Sequence, residues 1–363
     1  MDFKELASVI EINSYTKNKA GVDQYGDQFV EWMSALDYKV TRHKRDAIGD
    51  HLYFTNKKRE GRNILLLGHL DTVFPENTFD SFHEDSGWIY GPGVCDMKGG
   101  NHIALTALRN IHQKYSAIYN IDMLLVSDEE SGSDDSKYLT EELATLYDNC
   151  LVFEAAGRNN EVVVARKGVA TIYLDFEGKA AHAGNHYVDG CDANLAAANV
   201  LIDLTELTHL ELGTTVNVGK MTGGIGANTV SPTARLVVEF RFTRKDERDR
   251  VLKAFDECVS KPRVEGVTIK MSGGLQRDVM EASDQQTRLL NEIETILGYP
   301  LPTEQRGGVS DANTASNAGV LTLDGFGPFG DGDHTIHERA CKVSFDRRIN
   351  EVTRILDSLT MAG

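Results

Sequence analysis

LLLGHLDTVFP, residues 65–75, decides the fold class. The aliphatic run Ile64 to Leu67 reads as a buried strand, and Gly68 lets the backbone turn as it leaves the sheet. His69 and Asp71 then stand at the strand's carboxyl end, where open α/β sheets hold their ligands. Two residues apart on extended chain, their side chains leave from the same side. His69 offers an imidazole nitrogen to a metal, and Asp71 suits a carboxylate that orients that imidazole. A turn histidine beside a capping aspartate has the same letters, so the assignment rests on repetition of the design elsewhere.

The design does repeat. GPGVCDMKGGNHIALTAL, residues 91–108, folds glycines tightly around Asp96 just before a helix expected from about Gly100 to His112. Its spacing matches neither GxGxxG after a strand nor GxxxxGK[ST], which argues against nucleotide binding. A second buried strand, Ile121 to Ser127, ends at Asp128, Glu129 and Glu130, and adjacent carboxylates repel unless a cation neutralises them. A third, Cys150 to Phe153, ends at Glu154. Near the end, GPFGDGDHTIHE carries His334 and His337 on a glycine-rich loop.

Length and composition bound the reading. The 363 residues suggest about two domains, and 41% apolar with 26% charged residues describes a globular, soluble chain. A formal charge of -17 repels phosphate backbones, so nucleic acid is not an expected partner. No run approaches a bilayer span, and the N-terminal MDFKELASVIEI lacks a signal-peptide pattern. Five scattered cysteines without a CxxC fit reduced thiols, and the expected location is the cytoplasm.

Helices are expected over 2–13 and 21–36, and from about Arg347 to Thr360 at the other end. From Glu161 the texture changes to alternating strands. The order β-β-α-β-β-α-β suggests a smaller α+β domain inserted over 167–277, within a first domain of 1–166 and 278–363. The fold class is therefore α/β, a mixed-sheet domain interrupted by an insert. His43 and His51 read as solvated or structural, and His83 as a surface residue.

One or two histidines with several carboxylates suit Zn²⁺, with Co²⁺ or Mn²⁺ as alternatives. The acids suffice for two ions bridged by a carboxylate, which leaves one acid as general base toward the attacking water. Of Glu129 and Glu130, one is expected to face the metal and the other the water.

At these residues the chain resembles the di-zinc aminoacylase and carboxypeptidase family, which includes glutamate carboxypeptidase of the G type, acetylornithine deacetylase, succinyl-diaminopimelate desuccinylase and peptidase T. The resemblance is carried by GHLDTVFP (68–75), GPGVCDMKGG (91–100), SDEESGS (127–133), VFEA (152–155), KAAHAG (179–184) and GDGDHTIHE (330–338). It looks most like the glutamate carboxypeptidases, through Glu154, GKAAHAG and GANTVSPTARLVVEFRF.

The resemblance implies two Zn²⁺ per chain, one held by His69 and Glu154, the other by Glu130 and His334, with Asp96 bridging. It makes Glu129 the base and Asp71 the support of His69, and prefers His334 to His337 as ligand. It makes the insert a lid that often dimerises, with His182 polarising the scissile carbonyl at a neighbouring active site. Asn228 and Arg241 would hold a substrate carboxylate, and Gly307 and Gly308 would line the cleft. Asp278 follows Arg277 where relatives often have proline, and Met97 follows Asp96 where several have aspartate. The expected substrate is a small peptide or N-acyl amino acid with a free α-carboxylate. The alternatives are an acetylornithine deacetylase- or desuccinylase-like deacylase, or a binding protein on the same fold.

Overall fold

The computed structural model describes residues 2–261 and 264–361. The chain divides into two compact units. The first comprises residues 1–165, 282–306 and 310–363, and the second comprises 166–281 with 307–309. The expected insert was 167–277, so the second unit is longer at its C-terminal side and also takes in Gly307–Val309.

The first unit is built on a mixed six-stranded sheet in the order Lys39–His43, His51–Thr55, Ile121–Val126, Ile64–His69, Asn149–Val152, Leu321–Leu323. The last four strands run parallel to one another, and the first two pair antiparallel at one side. The three central strands are buried at every residue, as expected when both faces of a sheet are covered. Helices Lys19–Ser34, Lys98–Tyr115 and Lys342–Leu356 contribute Phe29, Met33, Ile103, Leu108, Phe345 and Val352 to the same core as Leu66, Met123 and Leu151.

Register positions the site. His69 lies level with Val126, and Leu67 lies level with Val152. The chain therefore delivers His69, the 128–130 turn and Glu154 side by side at the carboxyl ends of three adjacent central strands. Gly68 differs from its expected role. The strand continues through it to His69, and a Cβ there would come within 2.2 Å of Asn101 Oδ1, so the glycine makes room for the helix behind.

The same unit has a separate small sheet, ordered Gly330–Asp331, Arg339–Cys341, Trp88–Tyr90, His83–Glu84. Its last strand, His83–Glu84, is only two residues long and exposed. His83 is exposed there and stacks on Tyr90. Pairing of Tyr90 with Arg339 makes neighbours of the loop after Tyr90, which holds Asp96, and the loop before Arg339, which holds His334.

The second unit has a four-stranded antiparallel sheet in the order Thr215–Gly223, Thr233–Phe242, Gly168–Glu177, Thr268–Arg277. Helices Ala193–Thr205 and Lys245–Ser260 bury Ala196, Val200, Val251 and Phe255 in one core with Leu174, Leu236 and Phe240. The expected leading strand, Val162–Arg166, pairs instead with Thr303–Arg306 in a separate ladder, which leaves the order β-α-β-β-α-β.

The last helix starts five residues before the expected Arg347 and buries Arg348 completely. Its guanidinium pairs with Glu351 at 2.7 Å and donates to the carbonyls of Asn160, Glu161 and Gly325. Glu351 keeps Arg347 and Tyr299 if Arg348 is lost, but the three carbonyls lose their charged donor. Arg348→Met is therefore expected to cost about 3 kcal/mol, at the low end for breaking a buried charged contact. Urea denaturation checks this, and a loss below about 1 kcal/mol would contradict the assigned role.

Candidate metal centre

Five side chains predicted to meet do meet, all within the first unit. The ligand atoms of His69, Asp96 and Glu154 lie within 4.8 Å of one another, and so do those of Asp96, Glu130 and His334. Asp96 belongs to both groups and divides its oxygens between them. Oδ1 lies 3.2 Å from His69 Nε2, and Oδ2 lies 3.3 Å from His334 Nε2. Glu154 Oε1 is 3.8 Å from His69 Nε2, and Glu130 Oε2 is 3.1 Å from His334 Nε2. His337 is exposed and joins neither group.

Each side chain is aimed by a separate local device. His69 Nδ1 lies 3.0 Å from the Asp71 backbone carbonyl, which fixes that nitrogen as an N–H and turns Nε2 toward Asp96 and Glu154. The Asp71 carboxylate, expected to support His69, stands 3.4 Å from the same Nδ1 and also holds a second group. Oδ1 accepts the Glu129 N–H, and Oδ2 accepts the Glu130 N–H and the Thr16 hydroxyl at 2.7 Å. Asp71 thus clamps the turn that carries both glutamates.

Behind the turn, fully buried His51 accepts the Ser127 N–H on Nδ1 and faces Asp135 with Nε2. It is structural, one of the two readings open to it. Asn101 Nδ2 donates to the His69 carbonyl at 2.7 Å. The Asp96–Met97 peptide is cis.

The protonation pattern shows how much negative charge is confined here. Burial pushes Glu130 up to about 8, and the Asp96 charge adds to it. Burial and the same charge hold Glu154 well above the usual carboxylate range. Burial would also raise Asp96, but hydrogen bonds from His334 and His69 outweigh it and keep Asp96 well below that range. Contacts with Asp96 and Glu130 raise His334 to about 11. For His69, burial acts downward, and its bonds to Asp71 and Asp96 more than reverse it. Three carboxylates share two imidazoles, and the two glutamates are held above their ordinary range where cations would relieve the repulsion. The imidazole and carboxylate donors, with no thiolate among them, fit hard or borderline divalent ions.

The remaining predicted residues lie on the second unit. His182 Nδ1 accepts the N–H groups of Gly184 and Asn185, each at 3.2 Å. Its strand neighbour is Thr229, and the Asn228 carbonyl accepts the Ala183 N–H. Arg241 donates to the Gly307 carbonyl at 2.8 Å and pairs with Glu239, while the Gly308 carbonyl accepts from Arg166. Arg277 is buried at the end of its strand, opposite Val169.

Sequence reasoning passed over Thr16 and Glu338. Glu338 is 1% exposed and accepts backbone N–H groups from Gly93, Cys95 and Asp96. Its signal lay in the quoted segment GDGDHTIHE, whose closing glutamate follows His334 by four residues and was given no role of its own. Nothing around Thr16 in the sequence marks it.

The profile of peptidase family M20/M25/M40 matches residues 65–361. Carboxypeptidase G2 of Pseudomonas sp. (strain RS-16) is 26% identical over 367 residues, covering 98% of this chain and 88% of that protein. Succinyl-diaminopimelate desuccinylase of Helicobacter pylori (strain P12) is 27% identical over 292 residues, covering 75% and 74%. Among solved structures, aminopeptidase PepT of Bacillus cereus ATCC 10987 superposes with a TM-score of 0.82 at 22% identity, covering 98% of this chain and 97% of that one.

Thr16→Val removes one donor from a buried carboxylate with little change of shape. The expected cost is about 2 kcal/mol, the range for a hydrogen bond to a charged group, and Thr16→Ser should recover most of it. Urea unfolding of chelator-treated protein measures both.

Proposed function

The chain belongs to peptidase family M20/M25/M40, and from that premise we propose that it hydrolyses an amide bond beside an amino acid with a free α-carboxylate, in the manner of a glutamate carboxypeptidase. The observation that carries this reading is the sharing of Asp96 by two ligand groups while Glu129, on the adjoining turn, stays outside both. His69 and Glu154 would hold one ion, Glu130 and His334 the other, and Asp96 would serve both. Cations held there, zinc by the donor set with cobalt or manganese as substitutes, would supply Lewis-acid polarisation of the carbonyl and of the attacking water.

The chain's own groups do the rest. Glu129 takes a proton from water as the new carbon–oxygen bond forms, then passes it to the amide nitrogen as the carbon–nitrogen bond breaks. Asp71 fixes that turn through the two backbone N–H groups. On the second unit, backbone donors fill His182 Nδ1, so Nε2 carries the hydrogen and suits a donor to a developing oxyanion. Arg241 presents a guanidinium for a substrate carboxylate, with Asn228 beside His182 as a further polar contact. Gly307 and Gly308, placed by Arg241 and Arg166, would line the cleft. Similarity to the desuccinylase supports a second reading, N-acyl-amino-acid deacylation, with the same base and ligands.

The second unit also suits pairing of two chains. Strand Thr215–Gly223 lies at a sheet edge, and Leu195 and Ile202, seven residues apart on helix Ala193–Thr205, are exposed. A homodimer through this face is expected, and sedimentation equilibrium checks it. Leu195→Lys with Ile202→Lys should yield monomer. No helix among the described residues is long and apolar enough to cross a membrane.

A panel of N-acyl glutamates, dipeptides, and acetyl and succinyl amino acids, assayed with zinc, cobalt and manganese, tests the assignment. Glu129→Gln should lower kcat by about 100-fold or more while two ions per chain remain bound. Retained hydrolysis would overturn the role of Glu129 as base.

A further inference from the structure

We infer that Glu338 is the positioning residue for Asp96: its buried carboxylate gathers the backbone of the 93–96 loop and thereby sets where the shared carboxylate stands. The inference rests on the reading of Asp96 as a common metal ligand.

Glu338 is 1% exposed, and the buried cation that feels its charge, Lys98, spends its own hydrogen bonds on the Val9 and Ile12 carbonyls. A buried carboxylate without a cation is costly unless its lone pairs are filled. Here they are filled from one short stretch of chain. Gly93 N–H donates to Oε2 at 3.0 Å, while Cys95 N–H and Asp96 N–H donate to Oε1 at 3.0 and 3.1 Å. The Cys95 thiol lies 3.4 Å from the same oxygen. The loop turns through Gly93 at φ +80°, a conformation that brings its N–H groups toward one point.

The same turn that ends in Glu338 also carries His334. Gly332 to Glu338 is closed by Thr335 N–H to the Gly332 carbonyl and Glu338 N–H to the Thr335 carbonyl. The Glu338 carbonyl in turn accepts the Gly91 N–H at 3.4 Å, and Arg339 pairs with Tyr90. One segment therefore presents a ligand, His334, and clamps the loop that presents the shared ligand. Asp96 arrives with Oδ1 toward His69 and Oδ2 toward His334 because its own backbone N–H is held by Glu338. Asp71 plays the corresponding part for the 129–130 turn on the other side of the centre.

Glu338→Gln tests this. Its amide NH₂ must face a backbone N–H, whether that of Gly93 or those of Cys95 and Asp96, so the loop has to shift. Since Asp96 serves both ligand groups, zinc titrated against a chromophoric chelator should bind at both positions about 10- to 100-fold more weakly than in wild type. The cobalt-loaded variant should show altered visible absorption, with circular dichroism unchanged. Glu351→Gln, another buried glutamate of the same unit outside the centre, should leave zinc affinity and the cobalt spectrum as they were. Glu338→Asp, which keeps the charge on a shorter side chain, should weaken zinc as well. A folded Glu338→Gln with wild-type zinc affinity and cobalt spectrum would overturn the inference. So would a Glu338→Gln or Glu338→Asp that fails to fold in saturating zinc, since Glu338 would then hold the fold rather than the ligand. Wild-type protein that binds fewer than two ions would instead sink the metal reading itself.

Discussion

Everything at this centre follows from one electrostatic constraint: Asp96, held well below the usual carboxylate range, has an imidazole at each oxygen and two further carboxylates close by. Like charges at this spacing in a low-dielectric site must be neutralised by protons or by cations. Burial and the neighbouring Asp96 charge hold Glu130 and Glu154 above the usual carboxylate range. The same arrangement is prepared for divalent ions, because each displaced proton is exchanged for a stronger charge.

Such a cluster stays together because the rest of the unit leaves it little freedom. The central strands fix His69, Glu130 and Glu154 through parallel register, a backbone property indifferent to the charges it brings together. The two loop-borne ligands lack that support and receive another. The small sheet sets the Asp96 and His334 loops side by side, and buried Glu338 holds the Asp96 loop by its N–H groups, as buried Asp71 holds the 129–130 turn. Backbone donors suit this task since they cannot swing away as lysine or arginine can. The repulsion at the centre is thus borne by main chain on one side and by hydrogen-bonded turns on the other.

The ligand types were legible because strands of the run LLLG, DMLLV and CLVF are unmistakable, and polar groups at their carboxyl ends stand out against them. The second unit was legible by alternation, as in TARLVVEFRF, although the partner of its expected first strand was not. Strand pairing between Val162–Arg166 and Thr303–Arg306 joins segments far apart in the chain, and local pattern carries no record of such a choice. Gly68 shows the same limit. Its need for a missing Cβ comes from Asn101, on a helix that follows much later.

The sequence by itself determined the residue types of the centre, their order along the chain, and the strands and loops that carry them, since those depend on local periodicity and on the chemistry of each side chain. Only the tertiary structure decided the distances among them, the division of Asp96 between two groups, the turning of the Asp71 carboxylate toward the glutamate turn, and the parts played by Thr16 and Glu338. These are contacts between segments tens to hundreds of residues apart, and they exist only once strand order and loop pairing have closed the chain on itself.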